Sequence, residues 1–153
     1  MGWVAPVASA VTAVTSVAAA RQASAAGKYN QAIQNRNAQV AEQEAEQIEK
    51  QKEFDIAKFD QQFAQLQGQT KTRILFSGAE LSGSGLRILR SNAEQAEIER
   101  GIIEYNAKIG QARKFEEANF ARIQGEIARQ QARSTELGYY GQAGMSLLRG
   151  FGE

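Results

Sequence analysis

The chain contains a single proline, Pro6, so the strongest helix breaker is absent from Val7 onward. The middle of the sequence is filled instead by Ala, Gln, Glu, Arg and Leu, which are all good helix formers. Much of its apolar content is alanine, which covers little area, and burial contributes only about 25 cal/mol per Å². Such a chain gains more from long helices packed on neighbours than from an isolated compact core. We therefore predict an all-α fold.

Two long stretches repeat mainly apolar residues at alternating spacings of three and four, apart from a one-residue slip near Lys52 to Ile56 in the first, and this pattern indicates one face of a helix. In the first stretch these positions are Val40 or Ala41, Ala45, Ile48, Lys52, Ile56, Phe59, Phe63 and Leu66. In the second they are Leu89, Ala93, Ala96, Ile103 and Ala107, with Ile98, Ile102, Tyr105, Ile109 and Ala112 beside them, followed by Phe115, Ala118, Ile123 and Ile127. We predict long amphipathic helices over residues 27–76 and 87–137.

Residues 77–86, between these helices, are rich in Gly and Ser. Repeated Gly and Ser do not continue a stable helix, so we predict that the chain reverses here, with Gly78, Gly83 and Gly85 as hinge residues. The run lacks the Gly-Lys-Ser/Thr ending of a phosphate-binding loop. The predicted fold is a long helical hairpin, with a small-residue apolar N-terminal helix and a Gly-rich C-terminal tail.

The N-terminal segment, residues 1–26, carries no charged side chain before Arg21. Its small and β-branched residues are just numerous enough for a membrane-spanning helix, which needs about 20. Small residues four apart let such helices approach closely, and Trp3 is placed as an interfacial anchor. The alternatives are a helix buried against partners, a disordered terminus or a secretory signal without a basic start. The predicted membrane or partner contacts are Trp3, Val7, Val11, Val14 and Val17.

The C-terminal tail, residues 138–153, combines closely spaced glycines with large apolar side chains. Glycine at this density disfavours a regular helix, and we predict an irregular segment. Disordered tails are usually depleted in aromatic residues, which leaves a docking or membrane-contacting role open beside that of a frayed end. The predicted contact residues are Tyr139, Tyr140, Leu147, Leu148 and Phe151.

The residue types needed for most catalytic and metal sites are missing. The sequence has no Cys and no His, so it offers no thiolate, no imidazole base and no histidine metal ligand. The carboxylates alternate with Gln along predicted exposed helix faces, where solvated surface is the expectation. Acids are interleaved with the basic residues and the net charge is +1, which disfavours nucleic-acid binding by charge alone. We predict no enzymatic activity, no cofactor and no metal site.

The reversal and the regions after it resemble internal virion proteins of short-tailed bacteriophages, the smallest core protein in particular. The resemblance lies in Ser77-Gly78 followed by Gly83-Ser84-Gly85-Leu86 and in the step Tyr105-Asn106 within an Ala/Glu-rich helix. It extends to a Gly/Ala/Ser-Leu-Leu ending over residues 141–150 and to an Ala/Ser/Val-rich start before a Gln-rich helix. Gly85 stands where the family has proline.

This resemblance implies a place in the capsid's internal core near the portal, beside other core proteins. It also implies ejection with the DNA, and for the smallest member a homo-oligomeric channel across the host cell envelope. The implied partners are then further copies, the other core proteins, the portal and the host membrane, with only non-specific contact with passing DNA. The alternative is a purely structural scaffold, or an adaptor of the portal or tail, that never meets lipid.

Overall fold

A computed structural model describes the backbone of residues 4–78 and 83–151 and the side chains of residues 14–78 and 83–148. Two α-helices account for this part of the chain, α1 (Val4–Phe76) and α2 (Ser84–Phe151). They pack together as a hairpin, and the described residues contain no β-strand. The prediction of an all-α helical hairpin is confirmed.

The reversal begins directly after Phe76, as the Gly/Ser-rich sequence predicts. Gly78 and Gly83 have φ of +70° and +65°, in the left-handed region where a side chain is unfavourable. The carbonyl of Gly83 accepts a bond of 3.3 Å from the amide of Arg87, so α2 starts immediately after this glycine. Gly85 therefore lies in the first turn of α2, and its assignment as a hinge residue is wrong.

The hairpin divides into two compact units, each built from one segment of each helix. The first unit contains residues 1–40 and 117–153, and the second, which includes the reversal, contains residues 41–116. Both units rely on small side chains. The buried apolar residues among those described are all alanines: Ala20, Ala38, Ala41, Ala45, Ala118, Ala121 and Ala143.

In the first unit, glycine allows the helices to approach very closely. A Cβ placed on Gly125 would lie 3.2 Å from the Cβ of Gln34. Polar side chains line the margin of this contact, where an Arg129 guanidinium nitrogen donates to Oε1 of Gln31 at 3.1 Å. Because the contact residues are small, the unit is held by close backbone approach and dispersion rather than by bulky side chains.

In the second unit, small residues give way to larger ones towards the reversal. Gly110 packs against Ile48, whose Cδ1 lies 3.4 Å from the position a Cβ would take. Phe59 and Phe63 lie half-buried on α1, with ring centroids 6.4 Å apart. The prediction of one inward face is confirmed along α1 for Ala41, Ala45, Ile48, Lys52, Ile56, Phe59 and Phe63 and on α2 for Leu89, Ala93, Ala96, Ile103, Ala107 and Ala118. It is wrong for Leu66, which is 52% exposed.

Two predicted boundaries are wrong, because helix continues through both. The break expected at Gly27 does not occur: Gly27 is buried on the inward face of α1 and serves packing rather than termination. The tail over 138–153 was expected to resist helix, yet α2 runs to Phe151. There Tyr139, Ala143 and Ser146 continue the inward three-and-four spacing, and tertiary packing offsets the poor helix propensity of the glycines between them.

Candidate functional site

The N-terminal segment is the leading candidate surface, and α1 forms most of it. Val14 is 70% exposed, Val17 is half-buried and Ala20 is fully buried. One face of this segment thus packs within the first unit while another presents valine to the outside. Val7 and Val11 lie in α1 with side chains outside the described residues, and Trp3 lies outside them altogether.

Among the residues that the structure describes, no helical segment is both long enough and apolar enough to cross a membrane.

The C-terminal part of α2 has the same division into a packed and an open face. Ala143 is buried and Tyr139 is half-buried, whereas Tyr140, Leu147 and Leu148 are exposed. Phe151 is the last residue of α2, and its side chain falls outside the described range. The predicted contact residues therefore do not share one surface: Tyr139 faces inward, and the other three described side chains face solvent.

An unexpected apolar surface lies on the part of α2 that belongs to the second unit. Ile98 and Tyr105 are each 65% exposed and Ile102 is 53% exposed, although the sequence pattern predicts them beside the inward face. Successive residues of an α-helix are rotated by about 100°, which puts these three nearly opposite Ile103 and Ala107. We call the positions Ile98, Ile102, Tyr105, Ile109 and Ala112 the outer stripe.

Three further positions assigned to the inward face of α2 are also wrong. Phe115, Ile123 and Ile127 are about half exposed, while the smaller residues between them pack inward. In this part of α2 the inward positions are therefore occupied by small residues and not by the large apolar ones. A hydrophobic pattern alone missed this distinction, but the Ala and Gly at three-and-four spacing over 118–125 could have indicated it.

Polar side chains tie the helices of the second unit together. The amide of Gln111 donates to Oε2 of Glu49 at 2.6 Å and to the carbonyl of Ala45 at 3.4 Å. The ammonium of Lys52 also pairs with Glu49. The hydrogen bond from Lys52 holds the pKa of Glu49 below its ordinary value, with a smaller contribution from Gln111, and the same pairing raises the pKa of Lys52.

Two ion pairs run alongside this cluster. Lys114 Nζ lies 2.6 Å from Oε2 of Glu44, and an Arg100 guanidinium nitrogen lies 3.6 Å from Oδ2 of Asp60. As the residue number rises along α1, that of the partner on α2 falls, which fixes an antiparallel register. The described side chains contain no acidic group arranged to hold a metal ion. These polar contacts position the helices of the second unit.

One open groove of about 500 Å³ lies near the reversal in the second unit. Phe59, Phe63 and Leu66 line it from α1, and Asn92, Ala96 and Glu99 contribute from α2. The small side chain of Ala96 leaves space opposite the two phenylalanine rings. Polar side chains, Gln62, Asn92, Gln95 and Glu99, line the groove beside the apolar ones, but it is open to solvent and does not enclose a ligand, so we assign it none.

Comparison with known proteins gives no match: neither a family model, nor a curated protein, nor a solved structure is similar to this chain.

Proposed function

We propose that the chain is an internal virion protein of a short-tailed bacteriophage. In this proposal it assembles near the portal with other core proteins and leaves the capsid with the DNA. Several copies then help to form a channel for DNA across the host cell envelope. The protein has no enzymatic role, and its contact with the passing DNA is non-specific.

The observation that carries the proposal is the N-terminal part of α1. This segment has no charged side chain before Arg21, it is helical from Val4, and Val14 on its outer side is 70% exposed. An uncharged helix with an exposed valine can enter the bilayer interface without the cost of moving a charged group into lipid. The marginal apolarity suits a segment that is stored in protein first and meets lipid later.

The small-residue contact between α1 and α2 also supports delivery through a tail. Each unit is only two closely packed helices across, and helices packed through Ala and Gly lie near the short end of the usual interaxial range of about 8–10 Å. A chain of this kind occupies little cross-section. It can also separate from a neighbour without exposing many bulky core residues, because no large side chain is fully buried among those described.

Leakage of a dye from liposomes tests the proposal. The full chain is expected to release dye, and a version lacking residues 1–26 is expected to release far less. Circular dichroism of both proteins, at the same concentration, checks that the shortened chain remains helical. Equal leakage from two helical proteins would remove the membrane role.

A scaffold or adaptor role is the second candidate, and the outer stripe favours it. Isoleucine and tyrosine side chains of the outer stripe are exposed on α2, and exposed apolar patches of this kind mark contact sites for other proteins. Cross-linking from position 3 or position 151 in virus particles, before and after ejection, separates the two functions. Cross-links to virion proteins alone, both before and after ejection, support the scaffold role. Cross-links to lipid after ejection support the channel.

A further inference from the structure

The outer stripe follows the repeat of a coiled-coil seam. Its members, Ile98, Ile102, Tyr105, Ile109 and Ala112, are separated alternately by four and three residues. This spacing keeps side chains on one face of a helix that pairs with another helix. The first three are more than half exposed and Ile109 is half-buried. Helix α2 therefore has a second seam on the side opposite the one that packs on α1.

Helix α1 of another copy is a poor partner for this seam. In the second unit its exposed positions before Leu66 are largely polar or charged, with Phe54 as the main apolar exception, and the exposed Leu66, Leu75 and Phe76 lie at its C-terminal end. Burying these groups against Ile102 and Tyr105 would cost desolvation without providing hydrogen bonds. The exposed polar positions on α1 include Gln47, Lys50, Gln51, Lys58 and Gln61. The outer stripe of a second α2 offers a matching apolar surface.

The charges beside the outer stripe favour one orientation of two α2 helices. In a parallel, in-register pair, the positions that flank the seam bring Glu94 beside Glu99 of the second copy and Lys108 beside Arg113 of the second copy. Both of these contacts are repulsive. A parallel pair is therefore disfavoured.

An antiparallel pair places unlike charges together instead. When Tyr105 faces Ile109 of the second copy, Ile102 faces Ala112 of the second copy. Glu99 then lies beside Arg113 of the second copy, and the twofold axis repeats this pair. The two Lys108 side chains approach near the axis, but their long exposed stems let the ammonium groups turn into solvent. The two attractive Glu99–Arg113 pairs therefore outweigh the single, solvent-screened repulsion between the Lys108 side chains.

We propose that two copies of this chain pair through the outer stripes of their α2 helices, antiparallel, with Glu99 beside Arg113 of the second copy. This pairing gives the homo-oligomer of the proposed function a contact surface, and in that respect the pairing rests on the proposed function. In this register the pairing buries Ile102, Tyr105 and Ile109, and Ile98 lies at the edge of the seam, opposite Glu116 of the second copy.

Light scattering of the full chain over a range of concentrations tests the pairing. The natural chain is expected to be dimeric or larger, and Ile102→Glu is expected to weaken association by about tenfold or more. Phe54→Glu is the matched control, because it adds the same charge at an exposed apolar position on α1, and it should leave association unchanged. A natural chain that stays monomeric, or a Phe54→Glu variant that dissociates as readily as Ile102→Glu, would overturn the proposal.

Orientation can be tested with single cysteines, since the natural chain has none. In the antiparallel pair Asn106 lies near Asn106 of the second copy, so Asn106→Cys is expected to form a disulfide-linked dimer under mild oxidation. Ile98→Cys forms one only if the helices are parallel. Cross-linking of the Ile98→Cys variant alone would overturn the orientation.

The same measurements separate this inference from the proposed function. Protein that releases dye from liposomes but remains monomeric refutes only the pairing. Protein that pairs as described but never releases dye refutes only the membrane role.

Discussion

Gly27 of α1 lies so close to α2 that a Cβ added to it would be 2.2 Å from the Cβ of Ala132. Non-bonded carbon atoms are normally separated by about 3.5–4.0 Å, so even one methyl group at position 27 forces the helices apart. The predicted helix terminator is thus a site of close helix–helix contact.

Gly27→Ala is expected to destabilise the protein by about 1–3 kcal/mol through overpacking, even though alanine is the better helix former. Gly68→Ala is the control, because Gly68 is also within α1 but has nothing within 4 Å of its Cβ position. That variant should gain up to about 1 kcal/mol. Urea unfolding followed by circular dichroism measures both, and stabilisation by Gly27→Ala would contradict the close contact.

Gly78→Ala is expected to cost about 1–2 kcal/mol, because residue 78 has a positive φ that L-residues with a Cβ disfavour. Gly78→Asn should cost less, since asparagine tolerates the left-handed conformation better than alanine does. Thermal unfolding of the two variants makes the comparison. Equal stability of the alanine variant and the natural protein would show that the reversal does not need a left-handed residue there.

Lowering the pH is expected to weaken the second unit through Glu49. Its pKa is depressed in the folded protein, so the stabilisation it provides is present above the ordinary value of 4.5 and is lost as the pH falls through the folded value. Lys52 acts in the opposite range: its raised pKa gives stabilisation below 10.5 that is lost as the pH rises through the folded value.

The measurement is the unfolding midpoint as a function of pH for the natural protein and for Glu49→Gln. The difference between them should shrink as the pH falls below the ordinary carboxyl range. Glu46→Gln, at an exposed position three residues away on α1, is the control. A constant difference across the acidic range would show that the charge on Glu49 is not stabilising.

Val14→Asp is expected to reduce dye release from liposomes several-fold while leaving the helix content unchanged, because Val14 is exposed and belongs to the uncharged segment. Val40→Asp places the same charge at a partly exposed valine that lies outside this segment, and it should release dye as the natural protein does. Equal loss in both variants would indicate a general effect of charge rather than entry of the N-terminal segment.

The sequence predicts the inward face of α1 well from Ala41 to Phe63, because one apolar stripe at three-and-four spacing has a single interpretation. The reversal at Gly78 and Gly83 is also predictable, since only glycine adopts that conformation readily. Helix α2 is harder. It carries apolar residues on two opposite faces, and periodicity cannot say which face meets α1.

Over residues 115–127 size decides between the two faces: Ala118 and Ala121 pack inward and let the backbones approach, whereas Phe115, Ile123 and Ile127 face outward. Near Ile102 and Ile103 both faces carry isoleucine, and size does not distinguish them. Small size also explains the errors at Gly27 and in the C-terminal tail, where glycine or alanine provides close packing although the intrinsic propensity of glycine opposes helix. The candidate surfaces were predictable only as apolar segments, because the exposure of Val14 and the burial of Tyr139 depend on the register between the helices.

The antiparallel register also sets an order for folding during synthesis. Among the interhelical ion pairs, Asp60 and Arg100 have the smallest separation in sequence. Gln31, in contrast, cannot form its hydrogen bond until Arg129 has been synthesised. Contacts near the reversal can therefore form as the chain leaves the ribosome, and pairing proceeds outward towards both ends. Gly27 lies against Ala132, so the part of α1 that precedes Gly27 stays without its α2 partner until Ala132 and the residues after it have been synthesised.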